Sequence, residues 1–139
     1  MAIVAGVCNV FKRDCMLGLH DLDTDVIKIA LYTSAATLSA ATSAYSATNE
    51  VSGTGYTATG ETLSSVAVTL DSGAAIVDFA NPVWTTATIT ARGALIYNSS
   101  SADRAIAVID FGSDKTSTGS DFEIIAPAAA AATAAVRLA

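Results

Sequence analysis

The chain has a single histidine, His20, at the head of the acidic stretch HDLDTD. A histidine among serines and aspartates is the raw material of a nucleophilic triad, because the imidazole takes the hydroxyl proton while a carboxylate holds its tautomer. No GxSxG elbow accompanies it, so His20 reads as a surface or helix-end residue. Asp21, Asp23 and Asp25 imitate the opening of a calcium loop. The sixth position of that loop is Val26 where glycine makes the turn, and the twelfth is Tyr32 where a bidentate glutamate is needed, which excludes an EF-hand. Gly53, Gly55 and Gly60 form a GxG and a third glycine in a Thr-rich turn. They depart from the dinucleotide fingerprint and do not lie between a strand and a helix.

Cys8 and Cys15 are seven residues apart, on one face of a helix and about 10 Å apart along its axis. That is too far for a disulfide within the helix. They read as small buried apolar residues, and His20 alone does not complete a metal site with them. Asp78 and Asp110, each beside a phenylalanine in VDFA and IDFG, are the pair that acid-base chemistry would have to use. The plainer reading is that they line a polar face or bond a loop backbone. Asn98-Ser99-Ser100 fits a glycosylation triplet, which matters only in a secreted protein. The expectation is therefore a protein that is not an enzyme, with no catalytic, cofactor-binding or metal-ligating residues and no small-molecule substrate.

The composition narrows the class. The 139 residues fit one domain. Charged residues are 14% of the chain, against about a quarter in ordinary domains. The hydrophobic fraction of 52% is the opposite of the disordered signature. A net charge of -6 with seven scattered basic residues argues against nucleic-acid binding, which needs clustered Lys and Arg. No apolar window reaches the length of a membrane span, and no basic residue precedes the apolar start MAIVAGVCNV, so assembly in a cytoplasm without export is expected.

The elements that would position these side chains are mostly strands. Val7, Val10, Phe11, Cys15, Leu17 and Leu19 follow a 3.6-residue rhythm, which predicts a helix within residues 1–20, ended by Gly18. This segment is read as an N-terminal helical arm, and residues 21–139 as a β-sandwich domain. DVIKIALYT alternates and is β-branched, so it reads as the first strand. Further strands are predicted at ETLSSVAVTLD, AAIVDFA, VWTTATITA, GALIYN, RAIAVIDFG, FEIIAP and TAAVRLA. Turns fall at Ser72-Gly73 and Asn81-Pro82, and SDKTSTGSD reads as a polar loop. The Ala-rich stretch 126–135 reads as extended chain leading to the last strand. The fold class is mainly β: an antiparallel β-sandwich, jelly-roll or immunoglobulin-like, with a short N-terminal helix. The expected core includes Ile27, Ile29, Leu31, Val77, Phe79, Ile89, Leu95, Ile109 and Phe111.

Between Lys28 and Glu50 there is no charged residue, and the run Thr33 to Thr48 is built of Ser, Thr and Ala with Leu38 and Tyr45. A connection of that length without charge is uncommon. Small polar side chains lose little rotamer entropy on packing, so the run is suited to lying flat on another surface.

The pieces DTDVIKIAL, NEVSGTGYT, ARGALIYN and AVIDFG followed by SDKTS give the chain, from Asp21 onward, a sequence that resembles a family of small virion structural proteins of tailed bacteriophages. The resemblance implies a virion surface component. The leading form is a capsid decoration (cement) protein that binds over joints between major capsid protein subunits; the alternative is a tail, neck or fibre component. The implied partners are the major capsid protein and copies of the chain itself, expected as a homotrimer because closed symmetry is the rule in such assemblies. Nucleic acid and membrane are not among the partners. Phe11, Leu38 and Tyr45 are the expected anchors of the contacts with neighbouring subunits, since an isolated helix and an uncharged loop both need something to pack on.

Overall fold

The computed structural model describes residues 2–125 and 136–138. In chain order the elements are β1 (Gly6–Val7), α1 (Asn9–Met16), β2 (Ile27–Tyr32), β3 (Glu61–Thr62), β4 (Ala67–Asp71), β5 (Ala74–Asp78), β6 (Val83–Asn98), β7 (Arg104–Glu123) and β8 (Val136–Leu138). They form two antiparallel sheets, β1-β7-β6-β2-β3 and β4-β5-β8. The fold is therefore mainly β, with one short helix near the N-terminus, as the alternation of the sequence predicts.

The spine is the β6–β7 hairpin, 16 and 20 residues long. The segments VWTTATITA and GALIYN, expected as separate strands, are one strand. SDKTSTGSD, expected as a loop, is paired strand: Ala91 faces Lys115, Thr90 faces Thr116 and Ile89 faces Ser117. Register shifts after Trp84, Ala87, Ala91 and Ile96 bend the hairpin, as bulges do, so that strands of this length wrap a core instead of running straight past it. ETLSSVAVTLD, expected as one strand, breaks into β3 and β4, with Ser65 in the left-handed region between them. The Ser72-Gly73 turn is as predicted. Both residues have positive φ, 49° and 85°, the pattern of the two-residue hairpin turn whose twist matches its strands. The stretch 126–135 lies outside the described residues.

β2 is buried on both faces, because β6 lies beside it and the small sheet and the 33–60 segment cover it. Ile27, Ile29, Leu31, Phe79, Ile89 and Leu95 are in the core as expected. Val77, Ile109 and Phe111 are only partly buried against it. Leu22, Ile27, Ile96, Ile106, Val77, Phe79 and Val136 meet where the two sheets face each other.

The N-terminal segment is not an arm outside the strand framework. β1 pairs with β7, Gly6 facing Val108, and Ile3, Cys8 and Phe11 belong to the same core as the strands. The helix is short, and its packing on this core supplies the stability that eight residues lack on their own.

Candidate functional site

Among the described residues, two polar constellations and two surface grooves stand out. The first constellation explains the uncharged segment. Glu50 is the sole charged residue between Lys28 and Glu61, and the four tyrosines of the chain gather around it. Tyr45 donates to Glu50 Oε2 at 2.6 Å and Tyr56 donates to Oε1 at 2.6 Å, while the Thr59 N–H also reaches Oε1 at 2.9 Å. Tyr56 accepts from the Leu31 N–H, Tyr32 donates to the Ser46 carbonyl, and Tyr97 donates to the Thr59 carbonyl. Tyr45 stacks on Tyr97 with ring centroids 4.9 Å apart. Burial pushes all four hydroxyls up, Tyr97 to about 12, and the Glu50 bond raises Tyr45 and Tyr56 further. They stay protonated donors at any ordinary pH, which suits a carboxylate that only accepts.

Backbone bonds lay the same segment across its own domain. Ala40 accepts from Asn9, Ser43 from Ala105, and Asn49 from Thr33, while Tyr45 donates to Asp103 and Val51 to Leu31. Gly60 ends the run at φ +85°, and a Cβ there would overlap the Ile29 carbonyl, so only glycine lets the chain pass β2 this closely. The segment lies flat, as its composition predicts, and the surface beneath it is the protein's own.

The three expected anchors are placed accordingly. Phe11 is 2% exposed and tilted against the His20 ring, with centroids 5.0 Å apart. Leu38 is 6% exposed and bridges to Ile3, its backbone bonded to Ala2 and Val4. Both side chains are used inside the domain, which corrects the expectation that they reach a neighbour. Tyr45 is half-buried and committed to Glu50 and Tyr97.

The second constellation surrounds His20, whose side chain is 1% exposed and so is not a surface histidine. The Asn98 amide donates to Asp25 Oδ2 at 2.7 Å and to His20 Nδ1 at 3.0 Å, which fixes the tautomer with the proton on Nε2. Among the described residues that nitrogen has no hydrogen-bond partner, and it lies 3.9 Å from Asp14 Oδ2. Asp14 is fully buried on the inner face of α1, three residues from Phe11. Arg13 binds its Oδ1 at 2.8 and 3.0 Å, and Arg104 approaches Oδ2 at 3.4 Å. Burial alone would raise this carboxyl, but the two arginines outweigh it and hold it below the usual range. The Asn98 bond, with the Asp21 N–H, likewise lowers Asp25, and burial lowers His20. Nearby serine hydroxyls are spent on the Val26 backbone: Ser100 accepts from its N–H and Ser99 donates to its carbonyl. The arrangement ties α1 and the 20–25 turn to the end of β6, and among the described residues no hydroxyl is hydrogen-bonded to His20 as in a triad.

Asp21 and Asp25 form a turn, with the Asp21 N–H on Asp25 Oδ2 and the Asp25 N–H on the Asp21 carbonyl. Among the described residues no three His, Cys, Asp or Glu side chains are grouped to hold a metal. Asp78 accepts from the Phe79 N–H. Asp110 is held below the usual range by the Gly112 N–H and by Arg92. Each therefore has the local bonding role read from the sequence. Cys8 and Cys15 are free thiols, and burial pushes Cys8 up to about 11.

An apolar groove of about 500 Å³ runs between α1, the 20–23 turn and the small sheet, lined by Phe11, Cys15, His20, Leu22, Val68 and Val77 among others. A second groove, about 360 Å³, is lined mainly by hydroxyls: Thr33 and Ser52, with Glu50 between them, lie beside Thr88, Thr90, Thr116 and Thr118 of the β6–β7 hairpin. Sequence reasoning missed this juxtaposition because SDKTSTGSD reads as a loop. No protein-family model, curated protein or solved structure matches the chain.

Proposed function

We propose that the chain is a structural protein of a phage virion, a capsid decoration protein that binds over joints between major capsid protein subunits. The observation that carries this reading is the hydroxyl-rich face, with Glu50 its one charged residue, where the 33–52 segment meets the β6–β7 hairpin. Covering such a face with another protein desolvates a single carboxylate, Glu50, whose oxygens already accept from Tyr45, Tyr56 and the Thr59 N–H, and the short hydroxyl side chains around it have little rotamer entropy to lose. The sequence resemblance supports the same reading, and two of its pieces bear on this region: NEVSGTGYT supplies Glu50 and Ser52, and SDKTS runs through Thr116 and Ser117 of the hairpin. The partners in this reading are the major capsid protein and copies of the chain around a threefold axis. Binding the assembled shell but not its separated subunits would stabilise the shell by mass action.

The test is a titration of particles that lack this chain with purified protein. Wild-type protein saturates the particles and raises their disruption temperature. Thr118→Glu and Thr90→Glu, both on exposed strand positions, leave the isolated fold intact and weaken particle binding at least about tenfold, because each places a charge in the contact. Unchanged binding by both variants would remove this face from the contact.

A further inference from the structure

The small sheet ends in β4, and among the described residues nothing pairs with its outer edge. β4 is five residues long, against two each for the edge strands β1 and β3 of the large sheet. Its sequence AVTLD contains no Lys, Arg or Pro, and its register with β5 runs without a bulge. Apart from Asp71 at its end, it lacks the devices by which natural proteins protect such an edge. Val68 is 43% exposed and Leu70 80% exposed.

The two-residue turn at Ser72-Gly73 makes Asp71 and Ala74 a hydrogen-bonded pair, and pairs alternate from there. Thr69 and Ala67 therefore bond toward β5, and the N–H and C=O groups of Val68 and Leu70 point outward. The free backbone groups belong to the two exposed apolar residues.

We propose that β4 pairs antiparallel with β4 of a second copy about a twofold axis through Thr69, joining the two small sheets into one. The strand is self-complementary in this register. Val68 stands opposite the second copy's Leu70 in both directions, so the outward groups close four backbone hydrogen bonds. The apolar side chains meet on the face that carries the groove, where Val68 already lies in a row with Val77 and Val136. Thr69 faces itself as a close non-hydrogen-bonded pair, a favourable cross-strand match. Asp71 falls opposite Ala67, so no like charges oppose each other. Among the described residues the remaining edge strands, β1, β3 and β8, span two or three residues, too few for a competing heterologous pairing of equal length. This inference does not rest on the virion reading, and its test uses the purified chain alone.

The experiment is disulfide trapping with light scattering, in a Cys15→Ser background that leaves only buried Cys8. Thr69→Cys places two thiols on Cα atoms about 4.5 Å apart across the axis, within disulfide reach. It cross-links to a dimer under mild oxidation. Leu70→Cys stands two residues out of register with its symmetry mate, beyond that reach, and stays monomeric on a denaturing gel. The parent protein is a dimer in concentrated solution. Leu70→Pro, which removes only the outward N–H, weakens the dimer by about a hundredfold, since symmetry deletes the bond twice. Leu70→Lys, which keeps the backbone, weakens it in the same direction if the proline disturbs the hairpin. A monomer at every concentration, a trimer whose Thr69→Cys form does not cross-link, or equal trapping at positions 69 and 70 would overturn the proposal.

Discussion

Replacing Glu50 by Ala removes the acceptor on which two tyrosine hydroxyls and one backbone N–H converge. Hydrogen bonds to a charged group contribute about 1.5–3 kcal/mol each when well buried. Glu50 is half-buried, so about 1 kcal/mol for each of the three bonds is the appropriate scale, or about 3 kcal/mol in total. Tyr56 keeps its bond from the Leu31 N–H, and Tyr45 keeps its stack on Tyr97, so the domain remains folded. With a urea m-value of about 1.5–2 kcal/mol/M for a domain of this size, the midpoint falls by about 1.5–2 M while the slope stays constant. Hydrogen exchange should accelerate first in the 33–60 segment, because its backbone bonds depend on this anchor. A double-mutant cycle with Tyr45→Phe should give a coupling of about 1 kcal/mol. A loss below about 0.5 kcal/mol, the usual size of a surface substitution effect, would refute the claim that Glu50 organises the segment.

Phe79→Ala should cost about 3–5 kcal/mol, whereas the partly buried Phe111→Ala should cost about half as much, and comparable losses in thermal unfolding would contradict the burial assigned to them. Gly60→Ala should cost at least about 2 kcal/mol, combining left-handed strain with the overlap on Ile29, while Gly112→Ala, at similar φ but in open space, should cost about 1 kcal/mol. His20 binds its proton less readily in the folded state than in the unfolded chain, so stability is full above the ordinary histidine value of about 6.5 and declines as pH falls below it. Asp14 and Asp25, also depressed, contribute stability above their ordinary value of about 3.9 that is lost as pH drops through their lower folded values. His20→Gln should remove the first of these declines and leave the second, which chemical denaturation at a series of pH values will resolve.

What could be read from the sequence was what repeats along it. β2 and β5 announce themselves by β-branched alternation, and Ser72-Gly73 by its turn chemistry. The outer half of the β6–β7 hairpin did not, since its exposed positions carry Thr, Ser and Gly and its strand character comes from pairing with a partner some thirty residues away. The helix was visible in its stripe, but Asp14 on the buried face was not. Its neutralisation depends on Arg104, ninety residues on, although the i, i+3 spacing from Phe11 marks the shared face. Phe11 and Leu38 looked like contacts to neighbours because the strand pattern left them unassigned, and β1 and the Ile3–Leu38 bridge supply the missing partners within the chain. The role of Glu50 had one readable signal: a lone charge in an uncharged run that also holds three of the four tyrosines.

The measurement that bears most directly on the proposed function is a reconstruction of the phage particle that carries this chain. The account predicts density for the two-sheet domain at repeated positions over the joints between major capsid subunits, with the Thr90 and Thr118 face turned toward the shell. A chain found only along the tail or neck, or one absent from the particle altogether, would contradict it.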